Sequence, residues 1–190
     1  MNLFYDEYPC EIEVNGEEIP IITDFREHVK LIDMLNDAEL EPTEKAMYIM
    51  QYFKENPGDY PKAIEKLTEF VNMSALYQAG GDSAQEEEQR RKKDLYSFSI
   101  DYPFILSAFL HDYGINIRTI PYMHWWEFRL LFDGLSEDTE IKQRIMYRNI
   151  DLADIKDPEE RKRISKIQKS IKLPDGDILS DFEIGEAFGW

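Results

Sequence analysis

Cysteine is nearly absent from this sequence, and long uninterrupted apolar runs are absent altogether. Cys10 is the only cysteine among 190 residues, so no disulfide can form within the chain, which fits a reducing compartment. No apolar stretch approaches the roughly 18 residues of a membrane-spanning helix. The N-terminus also lacks the basic flank and apolar run of a signal peptide. We therefore expect a soluble cytoplasmic protein that does not act at a membrane.

The motifs of common catalytic and cofactor chemistry are missing as well. There is no glycine-rich dinucleotide fingerprint, no phosphate-binding loop and no nucleophile elbow. The three histidines do not share the i, i+4 spacing of a zinc-binding helix, and no cysteine cluster accompanies them. His124, beside Trp125 and Glu127, could serve as a general base, but a hydrogen bond at a helix start is the favoured reading. We expect no enzymatic activity, no metal and no cofactor.

Basic residues are scarce in the N-terminal half, and this scarcity gives the protein its charge. The formal net charge is −17. Residues 1–89 carry 21 acidic and 6 basic side chains, whereas residues 90–190 carry 18 acidic and 16 basic ones. An acidic protein repels phosphate backbones, so we do not expect nucleic-acid binding. The acidic half suits a basic protein partner instead.

An apolar and aromatic stretch, residues 121–134, stands out from this charged background. Read as a helix over about 123–133, it places tryptophan and phenylalanine side chains on one face and more apolar side chains beside that face. A helix that is apolar all round is typical of a buried one. We therefore predict a central helix within a core formed by Trp125, Trp126, Phe128, Leu131, Phe132, Ile105 and Phe109.

The N-terminal half begins with a predicted β-hairpin over residues 9–22. Asn15-Gly16 is a strong hairpin signal, because a type I′ turn needs positive φ at both central residues. This loop pairs Ile12 with Ile19, and it pairs Cys10 with Ile21 on the same face.

Three predicted helices follow the hairpin. The first, about 25–37, opens at the capping box that starts with Asp24. The second covers about 44–55, with Met47, Met50 and Phe53 on its inner face and Ala46 and Ile49 beside it. The third begins at Pro61. These helices make the N-terminal half a small acidic helical unit.

The C-terminal half is predicted to be helical throughout. A helix from Asp101 to about Tyr113 ends at Gly114, and a further helix covers about 137–149. The capping box that starts with Asp157 opens the last helix, about 158–172. The fold class that results is mainly α, a helical bundle with a small N-terminal β-hairpin.

Four regions follow from this organisation. They are an acidic N-terminal unit at 1–77, a charged linker at 78–93, an aromatic-rich helical core at 94–173 and an acidic tail at 174–190. A solvated helix over about 84–95 is the alternative for the linker, because its glutamates stand four residues before arginines and lysines.

The oligomeric state stays open. The candidate partner-binding residues are His124, Arg144, Arg148, Phe182 and Trp190.

Several motifs in the C-terminal half resemble the bacteriophage gene-product-fifteen family. They are Tyr113-Gly-Ile115, His124-Trp-Trp-x-Phe-Arg-x-Leu131 and Tyr147-Arg-Asn-Ile-Asp151, together with the spacing of Asp101, Tyr102, Ile105 and Phe109. The hairpin followed by Thr23-Asp-Phe-Arg26 is similar to the start of that family. The resemblance covers nearly the whole chain, is strongest over residues 94–173, and does not extend to the tail or the linker.

The resemblance implies a role in building phage tails. The family is encoded among the tail genes of tailed phages and prophages of Gram-positive bacteria, close to the tape-measure gene. The resemblance implies a chaperone-like protein of the host bacterial cytoplasm that binds the tape-measure protein or another tail-assembly chaperone. The alternative is a structural component, such as a tail-completion subunit, that is retained in the virion tail. The family brings no catalytic residues.

Overall fold

The computed structural model describes residues 1–37, 39–77 and 95–173. The predictions for the linker at 78–93 and for the tail at 174–190 lie outside these described residues. Within them the chain forms one two-stranded antiparallel sheet and eight helices, so the predicted class, mainly α with an N-terminal hairpin, is confirmed. In chain order the elements are β1 Glu11–Val14, β2 Glu17–Pro20, α1 Phe25–Leu35, α2 Pro42–Met50, α3 Tyr60–Val71, α4 Ser74–Tyr77, α5 Tyr102–Tyr113, α6 Trp125–Asp133, α7 Glu140–Asn149 and α8 Pro158–Ser170.

The hairpin has the register that its turn predicts. Asn15 and Gly16 adopt φ values of 54° and 85°, the positive pair that a type I′ turn requires. Ile12 pairs with Ile19, and their buried side chains lie on the inner face of the sheet, which packs on α3. The apolar face of this short sheet is thereby covered by a helix, which an isolated hairpin would lack.

Helix ends follow the predicted capping residues in most places. A carboxylate oxygen of Asp24 accepts from the backbone N–H of Arg26 at the start of α1, and Asp157 does the same for Glu159 at the start of α8. Gly114 ends α5 with a φ of 66°, the left-handed conformation expected there. The start of α7 differs: it begins at Glu140 rather than 137, after a turn.

Helix α2 ends earlier than predicted, and its inner face is a different one. The chain leaves the helix after Met50 and pairs with the continuation of β2, where the N–H of Ile22 donates to the carbonyl of Tyr52 over 2.9 Å. Phe53 is buried through this extended pairing and not through the helix. Ile49 is the buried residue of α2, whereas Met47 is 71% exposed. The predicted helix end at about 55 was therefore wrong, and so was the placement of Met47 on the inner face.

A short antiparallel bridge joins the segments that precede α1 and α6. The backbone N–H of Phe25 donates to the carbonyl of Met123 over 3.1 Å, and that of Trp125 donates to the carbonyl of Thr23 over 2.7 Å. These two bonds connect the chain before residue 78 with the chain after residue 94. The starts of α1 and α6 are therefore fixed side by side.

Two tryptophan side chains cap the C-terminal end of α3. The last carbonyls of a helix have no partner within the helix. The indole N–H of Trp125 donates to the carbonyl of Val71 over 2.9 Å, and that of Trp126 donates to the carbonyl of Phe70 over 2.8 Å. Both indoles are buried, so each needs such an acceptor. The first turn of α6 thus supplies hydrogen-bond donors to the last carbonyls of α3.

The aromatic side chains of α6 lie at the centre of one hydrophobic core. Phe128 stacks on Phe25 of α1, with ring centroids 4.5 Å apart, and on Phe109 of α5 at 5.3 Å. Of the seven predicted core residues, six are buried, and Leu131 is partly buried against them. The core contains side chains from both sides of residues 78–94.

Replacing Trp125 by phenylalanine withdraws the indole donor from the Val71 carbonyl and leaves a small void. We expect this change to lower the free energy of unfolding by about 2–4 kcal/mol, measured by urea denaturation. Phe132→Leu, which removes buried apolar surface without losing a hydrogen bond, is the control and costs about 1 kcal/mol. Equal losses for the two variants would show that the indole bond contributes little.

Candidate partner-binding surfaces

His124 is the N-terminal cap of α6. Its Nδ1 accepts from the backbone N–H of Trp126 over 3.0 Å, so the proton of the neutral ring sits on Nε2, which donates to the carbonyl of Pro9 over 3.0 Å. Tyr8 stacks on the imidazole at 4.8 Å. Burial lowers the pKa of His124, in agreement with a neutral cap. Both ring nitrogens hold backbone groups, as the favoured sequence interpretation expects.

A second buried histidine, His28 of α1, lies among aromatic rings. Its ring centroid is 5.3 Å from that of Trp125 and 5.4 Å from that of Phe70. Its Nε2 lies 2.8 Å from the carbonyl of Ile22, while its buried Nδ1 has no hydrogen-bond partner among the described residues. Burial lowers the pKa of His28 to about 4. The ring is therefore neutral at physiological pH.

Arg148 is held in a buried ion pair rather than displayed to solvent. Its guanidinium binds both carboxylate oxygens of Asp101, at 2.7 and 2.9 Å, and donates to the carbonyls of Leu95 and Ile171. The two side chains are only 7% and 1% exposed. The pair joins the start of α5, the helix α7 and the chain after α8. This arrangement gives Arg148 a structural role in the folded chain.

Arg144 lies one turn before Arg148 but has different surroundings. Its guanidinium carbon sits 3.7 Å from the ring centroid of Phe104, and its Nε donates to Glu140 over 2.9 Å. The side chain remains 20% exposed. Arg144, Arg148 and His124 thus have separate partners and do not form one site, while Phe182 and Trp190 lie outside the described residues.

Two helices, α2 and α5, carry apolar side chains that are exposed to solvent. The sequence patterns did not predict this exposure. On α5, Tyr102 is 62% and Leu110 is 53% exposed, on a helix with no charged residue from 102 to 110. On α2, Met47 and Tyr48 are exposed beside several glutamates. The uncharged run in α5 was a visible signal. On α2 the exposure of Met47 was not predicted, because the helix was expected to continue to about 55 with Met47 on its inner face.

Other kinds of site find no support in residues 1–37, 39–77 and 95–173. No group of three or more histidine, cysteine, aspartate or glutamate side chains is arranged there to hold a metal ion. In the same residues, no helix combines the length and the apolar character needed to cross a membrane.

Acid should destabilise the fold through His28. The folded ring has a pKa of about 4 against 6.5 for a free histidine. Between these pH values the ring is protonated in the unfolded chain and neutral in the folded chain. This neutral ring is worth about 3 kcal/mol above pH 6.5, and its contribution is lost as the pH falls from 6.5 towards 4. The measurement is the free energy of unfolding against pH for the wild type and His28→Gln.

The variant should lose stability less steeply over that interval than the wild type. His111→Gln is the control, because His111 is exposed and its hydrogen bond with Asp112 raises its pKa. An unchanged slope in His28→Gln would contradict the assignment of this acid sensitivity to His28.

Replacing Arg148 by methionine leaves the Asp101 carboxylate buried without its counter-charge. We expect a loss of about 3–5 kcal/mol in the free energy of unfolding, measured by chemical denaturation. Arg144→Met is the matched control one helical turn away, because its partner Glu140 is exposed and the pair is worth at most about 1 kcal/mol. Equal losses at the two positions would show that the Asp101 pair contributes no more to stability than the Glu140 pair.

Comparison with known proteins places the chain in a phage family. Residues 4–173 match the family described as Bacteriophage Gp15 protein. No curated protein and no solved structure matches the chain. The matched range ends at Leu173, the last residue of the described fold. It includes the two buried histidines, the Asp101–Arg148 pair and the exposed faces of α2 and α5. The chain belongs to the Bacteriophage Gp15 protein family and is a phage protein.

Proposed function

We propose that this protein is a non-enzymatic tail-assembly factor that binds the tape-measure protein during tail morphogenesis, in the manner of a chaperone. It acts in the host cytoplasm before the tail is complete. The observation that carries the proposal is family membership over residues 4–173, joined to the tail-gene setting that the resemblance implies. A tail-assembly chaperone is the related partner that this setting also allows.

The distribution of apolar side chains supports a binding role. The tryptophan and phenylalanine side chains of α6 are in the core. Apolar side chains also stand exposed on α2 and α5, away from that centre. Exposed apolar side chains on helices are the usual means of accepting an amphipathic helix from another protein. A tape-measure protein would need its own apolar helices covered until the tail tube surrounds it.

The surroundings of His28, His124 and Arg148 support a role without catalysis. His124 uses both ring nitrogens to hold backbone groups, and His28 is wholly buried. Arg148 is occupied by Asp101 and two carbonyls. A general base needs a free nitrogen within reach of substrate, and these side chains serve the fold instead.

Co-expression with the tape-measure protein of the same phage tests the proposal. The lysate would be separated by size-exclusion chromatography with light scattering. We expect the tape-measure protein to be soluble only when this chain is present, and the two to elute together at a defined mass ratio. The control is co-expression with the Arg148→Met variant, whose weakened fold should solubilise less partner.

Two results would contradict the tape-measure assignment. One is a tape-measure protein that is equally soluble without this chain and never elutes with it. The other is the presence of this chain in purified mature tails without such an association, which would favour the alternative of a structural tail-completion subunit retained in the virion.

A further inference from the structure

The outer face of α2 combines exposed apolar side chains with carboxylates that form no ion pair within the described residues. Helix α2 buries only Ile49. Met47 is 71% and Tyr48 is 47% exposed, and Met50, one turn after Met47, is half-buried. We infer that this face, defined by Met47, Tyr48 and Met50, binds a basic amphipathic helix of a partner protein.

The apolar part of the α2 face suits a helix as its ligand. Met47 and Met50 stand at i and i+3, which forms a ridge along the helix surface that can fit between the side chains of a second helix. Methionine is unbranched and polarizable, so it adapts to partners of different shape. Tyr48 adds a rigid aromatic side chain of the kind that dominates binding energy at interfaces. Met47 and Tyr48 are exposed and so are free to contact a partner, while Met50 also packs against the core.

The charges around the α2 face specify a basic ligand. Glu39, Glu41 and Glu44 are exposed at and before the start of the helix. Within the described residues, no lysine or arginine forms an ion pair with any of them. Lys45, the basic residue of α2, donates to the carbonyl of Leu35 instead. Lysines or arginines along the edge of an incoming helix would meet these carboxylates, while an acidic helix would be repelled.

The described residues of a second copy of this chain do not supply such a ligand. Helix α8 is the basic amphipathic helix of the sequence, but Ile164 on its apolar face is buried in the fold. It can offer lysines to the α2 face of another copy but no apolar stripe. Ion pairs at an exposed surface contribute too little for association on their own. We therefore assign the ligand to a helix of a different protein.

The identity of the partner rests on the proposed function, since the tape-measure protein would supply the helix. The binding face itself depends only on residues of this chain. A synthetic peptide can therefore test the face directly. The probe is a labelled amphipathic peptide of leucine and lysine, about 18 residues long so that a helix can form. The comparison peptide has glutamate in place of lysine.

Fluorescence anisotropy with the full chain measures both peptides. We expect the lysine peptide to bind at least roughly tenfold more tightly than the glutamate peptide. The double variant Met47→Gln/Tyr48→Gln should weaken binding roughly tenfold, because both side chains are exposed and their removal leaves the core intact. Glu39→Gln/Glu44→Gln should weaken binding and also reduce its salt dependence.

Two matched controls separate this face from the rest of the acidic protein. Tyr102→Gln/Leu110→Gln removes the exposed apolar residues of α5, and Glu17→Gln/Glu18→Gln removes two exposed carboxylates of the hairpin. We expect neither pair to change the affinity more than about twofold, a loss of about 0.4 kcal/mol. Weakening by the α5 pair with no effect of the α2 pair would overturn the inference, and so would equal weakening by both glutamate pairs.

The peptide experiment tests the α2 face and the co-expression experiment tests the proposed function, so each claim can be refuted without the other. A peptide that binds at the α2 face, with a tape-measure protein that does not associate, refutes the proposed function and leaves the face with another partner. A tape-measure protein that co-elutes with this chain and is unaffected by Met47→Gln/Tyr48→Gln supports the function and overturns the inference about α2.

Discussion

The hydrogen bonds from Trp125 and Trp126 to the end of α3 are the constraint on which the rest of the fold depends. They place the first turn of α6 against the last carbonyls of α3, and the bridge between Thr23 and Trp125 fixes α1 beside them. Each bond satisfies a polar group in a buried region, where an unpaired group would cost about 1–3 kcal/mol. Two parts of the sequence separated by residues 78–94 are joined in one core by this junction.

Several buried polar side chains, among them the predicted partner-binding residues His124 and Arg148, hold this fold together. His124 caps α6, Arg148 neutralises a buried carboxylate and His28 fills an aromatic pocket. We propose that partner binding uses side chains that lie largely outside the core. In the proposed account these are the exposed apolar residues of α2, surrounded by carboxylates that select a basic helix. This division lets the surface contact a partner without disturbing the buried junction.

Local patterns predicted most elements, whereas long-range contacts were beyond them. The Asn15-Gly16 turn, the Asp24 and Asp157 caps and Gly114 act within a few residues, so the sequence shows them directly. The carbonyls that the two indoles reach are more than fifty residues away, and periodicity carries no information about such a pair. The same limit hid the Asp101–Arg148 bond. Helix α2 was misread because strand pairing at Phe53, another distant contact, ends the helix after Met50.

Native-state hydrogen exchange at two backbone amides tests the shared core most directly. The N–H of Phe25 bonds to Met123, and the N–H of Trp125 bonds to Thr23, so each is protected by the other segment. One cooperative core predicts that both amides exchange only through global unfolding, with equal free energies that match the value from denaturant. Exchange of the Phe25 amide at a much lower free energy, with Trp125 still protected, would show that the N-terminal part opens by itself and would contradict the account.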